Sequence, residues 1–250
     1  MNSNRIQTKE KSSGSIFSSI TNGLLFPFML LTLSLSCWTC EAEKAATKTA
    51  PIAQKSEAAA EETKTKTDKK VVLFYGDSLT AGYGLEEDQS FPSRIEDKID
   101  SLGLNYTVVN AGLSGETTSG GLKRIDWVLK QKVDIFFLEL GANDMLRGLP
   151  LDETRKNLSE IIAKVKAKNA KVKIGLCEMI AAPNMGDDYV KAFNKIFHDL
   201  AAEHSITFVP FFLEGVAGYR ENLLRDGKHP NAKGQIIAAD NIWKTLEGML

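Results

Sequence analysis

Three short segments of the chain hold residue types that can carry acyl transfer: Gly76-Asp77-Ser78-Leu79, Gly141-Ala142-Asn143-Asp144 and Asp226-Gly227-Lys228-His229. They supply a hydroxyl nucleophile, a side-chain amide donor, and an imidazole with a carboxylate three residues before it. A serine hydroxyl attacks poorly until a base takes its proton, so Ser78 needs one of the three histidines. His198 lies within a helical pattern beside its apolar stripe, and His204 lies at that helix's C-terminal end, where a cation suits the dipole. His229 has no such structural explanation. It stands in a polar turn before Pro230, and Asp226 can accept from one ring nitrogen and fix the tautomer while the other faces Ser78. Asp-Gly followed by His-Pro is also turn chemistry in its own right.

The other candidates have two readings each. Ser78, after an apolar run, could be only a helix N-cap. Asn143 could satisfy a turn, or its amide could donate to a developing oxyanion, where a preorganised donor is worth about 3 kcal/mol of barrier. Gly115 could add an unobstructed backbone N–H, as could the amide of Ser78. Glu139, inside an apolar run, reads as a structural hydrogen-bond partner, and Asp77 and Asp144 as residues that brace loops. Cys177 falls in an apolar strand pattern and reads as a small core residue.

The elements that must position these residues follow from periodicity. Strand patterns cover Val71 to Tyr75, Tyr106 to Asn110, Ile135 to Leu140, Val172 to Cys177 and Ile206 to Phe211. Leu151, Thr154, Leu158, Ile161, Ile162 and Val165 mark one helical face; Val190, Phe193, Ile196, Phe197 and Leu200 mark a second. A closing helix is suggested by Ile236, Ile237, Asp240 and Trp243 to Leu246. Five strands separated by crossovers of this length imply a parallel sheet covered on both faces, a three-layer α/β/α sandwich. In such a sheet ligands bind beyond the carboxyl ends of the strands. Ser78 follows the first strand, Ser114-Gly115 the second, Asn143 the third and the Asp226/His229 loop the fifth, so all converge on one edge.

Outside this domain, residues 71–250, the N-terminus has a different character. Arg5, Lys9 and Lys11 precede a run without charge from Ser12 to Cys40, most apolar between Leu24 and Leu35. This predicts an export signal over residues 1–37. Its end, Ser34-Leu35-Ser36-Cys37, resembles a bacterial lipobox, with Ser34 where that pattern prefers Leu; it implies lipidation of Cys37. An uncleaved anchor or a plain cleaved signal are the competing readings. In each, the basic residues stay inside and the rest is exported, to the periplasmic side of a bacterial membrane. Residues 38–70 hold a stretch rich in Ala, Glu, Lys and Thr, with Ile52 its one large aliphatic residue between Glu41 and Lys70, and read as a disordered tether of about 30 Å reach. The formal net charge of −1 argues against nucleic acid as a partner. Three cysteines are too few for a disulfide framework, and no Cys/His cluster has metal-ligand spacing. Neither metal nor cofactor is expected, and a monomer is the default.

Four blocks carry a resemblance to a known family: Gly76-Asp77-Ser78-Leu79; Asn110-Ala111-Gly112-Leu113-Ser114-Gly115; Gly141-Ala142-Asn143-Asp144 with Leu146-Arg147-Gly148; and Asp226-Gly227-Lys228-His229-Pro230-Asn231. In this order they resemble the SGNH (GDSL) hydrolases, and within them the bacterial thioesterase I, lysophospholipase I and arylesterase group, over Val71 to Leu250. The resemblance implies Ser78 as nucleophile, His229 as base, Asp226 as its partner, and an oxyanion hole of Ser78, Gly115 and Asn143. It also implies a flavodoxin-like sheet order. Gly112 stands where some relatives carry Ser, a departure that leaves the catalytic assignment intact.

The activity expected is a serine esterase of arylesterase or lysophospholipase type, with thioester hydrolysis alongside. A cell-wall polysaccharide or glycan O-deacetylase would use the same residues. A flavodoxin-like phosphate or flavin binder, cradling phosphate with Ser78, Thr80 and a helix N-terminus, would have no use for Asp226 and His229. The Gly-x-Ser-x-Gly elbow is absent, since Thr80 holds its final position, which disfavours an ordinary α/β-hydrolase. Ala181-Ala182-Pro183-Asn184-Met185-Gly186 is expected to form one wall of the pocket, and no basic patch around the site is strong enough to demand a phosphorylated headgroup.

Overall fold

A computed structural model describes residues 68–250. The export signal, Cys37, Cys40 and nearly all of the tether lie outside these residues. The five strands are β1 (Lys70–Gly76), β2 (Tyr106–Gly112), β3 (Ile135–Glu139), β4 (Lys173–Cys177) and β5 (Thr207–Val209). All pair in parallel, in the order β2-β1-β3-β4-β5. β1 therefore lies inside the sheet, and Val72 to Tyr75 are at most 1% exposed. Burial of side chains of this size stabilises by about 1.5–3 kcal/mol each.

The helices are α1 (Ser78–Ala81), α2 (Phe91–Ser101), α3 (Thr118–Val128), α4 (Ala142–Leu146), α5 (Leu151–Lys168), α6 (Asp187–Glu203) and α7 (Ala232–Leu246). The step from β1 to β2 runs one way along the sheet, and every later step runs the other way. Right-handed crossovers then place α2 on one face and α3, α5 and α6 on the opposite one. The packing agrees: α2 lies against α7, while α3 and α6 both lie against α5. Thr154, Leu158, Ile161, Ile162 and Val165 are the buried residues of α5, and Phe193, Ile196, Phe197 and Leu200 are buried in α6, the faces that their periodicity marks.

Some boundaries differ from the sequence pattern. β5 ends at Val209 rather than Phe211, because Pro210 has no N–H for the ladder. The buried face of α7 is made by Gln235, Ala238, Ala239, Ile242, Trp243 and Leu246, whereas Ile236 is 49% exposed. Gln235 is buried because its Oε1 accepts from the backbone N–H of Phe91, tying α7 to the start of α2.

Candidate active site

The site starts from a buried carboxylate at the end of β3. Glu139 Oε2 accepts from Thr80 Oγ1 at 2.6 Å and from the N–H of Asp77 at 3.2 Å, across the strand pair that sets Gly76 opposite Glu139. A Cβ at Gly76 would lie 2.3 Å from Glu139 Oε2, so only glycine lets the two strands carry this contact. Glu139 thus fixes both sides of the turn that presents Ser78. Its other oxygen, Oε1, is buried with no hydrogen-bond partner among the described residues. Burial, then the Asp77 charge, pushes the Glu139 carboxyl well above the usual range.

Asp77 is the N-cap of α1. One carboxylate oxygen accepts from the N–H of Leu79 at 2.9 Å and the other from Asn143 Nδ2, also at 2.9 Å. Burial outweighs these two bonds and raises its pKa to about 6. Asn143 sits in the first turn of α4, two residues after Gly141, the N-cap that ends the β3 connection, and its amide has two protons. One goes to Asp77, which leaves the second for another acceptor. Asp144 turns the other way and accepts from both the N–H and the hydroxyl of Thr118, joining α4 to α3. Asp77, Asp144 and Glu139 are therefore structural acceptors, as their positions in the sequence suggest.

The loop before α7 brings the imidazole. Gly227, at φ +69°, lets the chain reverse so that Asp226 Oδ1 accepts from the N–H groups of Lys228 (2.9 Å) and His229 (3.1 Å). Asp226 Oδ2 lies 2.6 Å from His229 Nδ1, and His229 Nε2 lies 2.9 Å from Ser78 Oγ. The bond from His229, then the two backbone N–H groups, hold the Asp226 carboxyl down at about 2. The anion next to Nδ1 keeps the ring proton there, and Nε2 accepts from the Ser78 hydroxyl. The ring of Tyr83 covers His229, with centroids 4.5 Å apart and planes tilted by 37°.

Ser78, Gly115, Asn143 and His229 share one pocket of about 580 Å³, whose wall also includes Asp77, Leu79, Tyr83, Ala142, Met145, Leu146, Ala182, Leu213 and Lys228. Gly115, at φ +80°, is held from outside by Arg147, whose guanidinium donates to the Gly115 carbonyl at 2.7 Å. Of the stretch Ala181 to Gly186, Ala182 alone reaches the pocket. Pro183–Met185 turn into a 3₁₀ helix that leads to α6, and Ala181 is buried in the core. The geometry thus joins a hydroxyl, an imidazole oriented by a carboxylate, and an amide donor in one partly apolar cleft. That combination can activate a hydroxyl against a carbonyl and hold the negative charge that develops.

The surroundings of Thr80 and of the other two histidines bear on the alternative readings. Thr80 cannot cradle phosphate: its hydroxyl is buried and donates to Glu139, and the start of α1 is already capped by the Asp77 carboxylate. His204 is the C-cap of α6. Burial lowers its pKa despite Glu203, and Lys166 and Arg155 lower it further, while its Nε2 lies 2.8 Å from Ser159 Oγ. His198 is 58% exposed and stacks on Phe208 at 4.1 Å, far from any role with Ser78. Cys177 is buried in β4.

Tyr83, Lys228, Arg147 and the Thr80–Glu139 bond are parts of the site that sequence reasoning did not supply. A signal existed for Tyr83, an aromatic residue between Gly82 and Gly84 just after the serine turn. Lys228 likewise lies between the two residues of the Asp226/His229 pair. Among the described residues, no group of three or more His, Cys, Asp or Glu could hold a metal ion.

Residues 74–236 match the GDSL-like Lipase/Acylhydrolase family. The chain is 36% identical over 182 residues to the esterase TesA of Pseudomonas aeruginosa, covering 72% of this chain and 90% of that one. It is 38% identical over 181 residues to thioesterase 1/protease 1/lysophospholipase L1 of Escherichia coli K12, covering 72% and 84%. Among solved structures, the fold is similar to the psychrotrophic esterase EstA of a Pseudoalteromonas species inhibited by monoethylphosphonate, with TM-score 0.69, 31% identity, and 72% and 98% of the two chains covered.

Proposed function

The chain belongs to the GDSL-like Lipase/Acylhydrolase family, and on that premise we propose that Ser78, His229 and Asp226 are the catalytic residues of a serine esterase that works through an acyl-enzyme. The observation that supports these roles is the continuous chain from Ser78 Oγ to His229 Nε2 (2.9 Å) and from Nδ1 to Asp226 (2.6 Å), opening on a pocket. His229 takes the Ser78 proton as Oγ attacks the ester carbonyl carbon. The oxyanion is received by the second amide proton of Asn143 and by the N–H groups of Gly115 and Ser78. The bond to the leaving oxygen breaks as His229 returns the proton to it. Water then repeats the sequence and releases the acid.

The substrates are carboxylic esters, including aryl esters and lysophospholipids, with acyl thioesters hydrolysed by the same residues. The apolar wall of Ala142, Met145, Leu146, Ala182 and Leu213 supports an acyl chain over an acetylated polysaccharide. The basic start, the uncharged run and Cys37 support export and lipid anchoring on the periplasmic side of a bacterial membrane, with a monomeric catalytic domain. An exported enzyme meets little acyl-CoA, so esters are its physiological substrates. The test is kcat/KM for chain-matched p-nitrophenyl esters, lysophosphatidylcholine and acyl-CoA, with Ser78→Ala as the blank. Turnover of every class is expected to vanish in the blank. Retained turnover there would remove Ser78 from its role, and a preference for acyl-CoA above about a hundredfold, ~2.7 kcal/mol, would make the protein a dedicated thioesterase.

A further inference from the structure

The two layers of the fold divide the pocket around Ser78. His229, Lys228 and Tyr83 come from the side of α1, α2 and α7: Gly84 packs on Leu224 and Gly82 on Ser90, and α2 lies against α7. Ala142, Met145 and Leu146 come from α4, whose leading Gly141 packs on Phe197 and Phe193 of α6, and Ala182 precedes α6 on the same side. The proton that His229 received from Ser78 must go to the leaving oxygen, so the leaving group has to lie against Nε2. It therefore lies on the Tyr83 and Lys228 side, and the acyl chain on the apolar α4 side.

We infer that Tyr83 and Lys228 form a leaving-group subsite that selects esters whose alcohol carries a phosphate. This rests on the assignment of Ser78 and His229 proposed above. Tyr83 is half exposed and presents its ring beside the imidazole, a surface against which the alcohol packs. Lys228 lines the same pocket, and its ammonium makes no ion pair or hydrogen bond among the described residues, where only its backbone N–H is engaged, by Asp226. The Asp226 carboxylate is already committed to His229 and to two backbone N–H groups. An exposed lysine that lines an ester-cleaving pocket and whose ammonium has its donors unused can recognise an anion on the departing alcohol. In the reaction that anion leaves with the alcohol oxygen, which takes its proton from His229. The phosphate itself undergoes no bond change.

Two substrates that differ only in that anion test the subsite: 1-octanoylglycerol and 1-octanoylglycerol 3-phosphate, below their micelle-forming concentrations, on the full-length protein. The expected result is a kcat/KM roughly tenfold higher for the phosphate ester, carried mainly by KM and weakened by salt. The ratio should collapse toward one in Lys228→Gln and be largely restored in Lys228→Arg. The acetyl analogues, run in parallel, separate a lipid source of the phosphate from a small soluble phosphate ester: a preference confined to the octanoyl pair assigns a lysophospholipid. An equal ratio in wild type and Lys228→Gln overturns the subsite while leaving the serine mechanism standing. Loss of the serine mechanism would show separately, as turnover of the neutral ester by Ser78→Ala.

Discussion

Asn143 donates one amide proton to Asp77 Oδ2 across 2.9 Å, so the carboxylate that caps the serine turn also sets the direction of the amide beside it. With that proton committed, the second cannot rotate away from the pocket without breaking a partly buried hydrogen bond. Asn143→Ala should lower kcat about a hundredfold, the equivalent of ~2.7 kcal/mol of transition-state stabilisation, with KM little changed. Asp77→Asn keeps a single acceptor oxygen for two donors, and should lower kcat by a smaller factor with KM likewise unmoved. Steady-state kinetics on p-nitrophenyl acetate check both. A rise in KM at constant kcat would assign Asn143 to ground-state binding instead.

The buried carboxyl pair makes stability depend on pH in a defined direction. In the folded protein Asp77 is raised from 3.8 to about 6, and Glu139 is raised well above 4.5, both chiefly by burial. For raised carboxyls the stabilising contribution is full below the unfolded values and is lost as pH climbs through the folded ones. Glu139→Gln mimics the protonated acid at every pH. Its melting temperature relative to wild type should therefore rise between pH 5 and pH 8. A constant difference across that range would mean that Glu139 is already ionised at pH 5.

The anchor proposed for the N-terminus predicts that labelled palmitate enters the wild-type protein in its native host and fails to enter Cys37→Ser. Gel autoradiography after immunoprecipitation reads this directly. Labelling of the variant at wild-type levels would place the lipid elsewhere, with Cys40 the nearest alternative.

The strands, the inward faces of α5 and α6, and the convergence of Ser78, Asn143 and His229 on one sheet edge were determined by the sequence alone. Each depends on local order: apolar residues recurring at the strand or helix period, and chemistry-bearing residues placed directly after them. The choice of His229 over His198 and His204 also came from local surroundings, a polar turn against an amphipathic helix. Tertiary structure decided what depends on distance through space. Thr80 and Glu139 meet only because β1 and β3 are neighbours in register, and Gln235 is buried only because the start of α2 stands above it. Tyr83 covers His229, and Lys228 joins the pocket wall, because the α1 turn and the loop before α7 fold against one another. Periodicity records which face of an element is apolar, but not which polar group will be waiting opposite it.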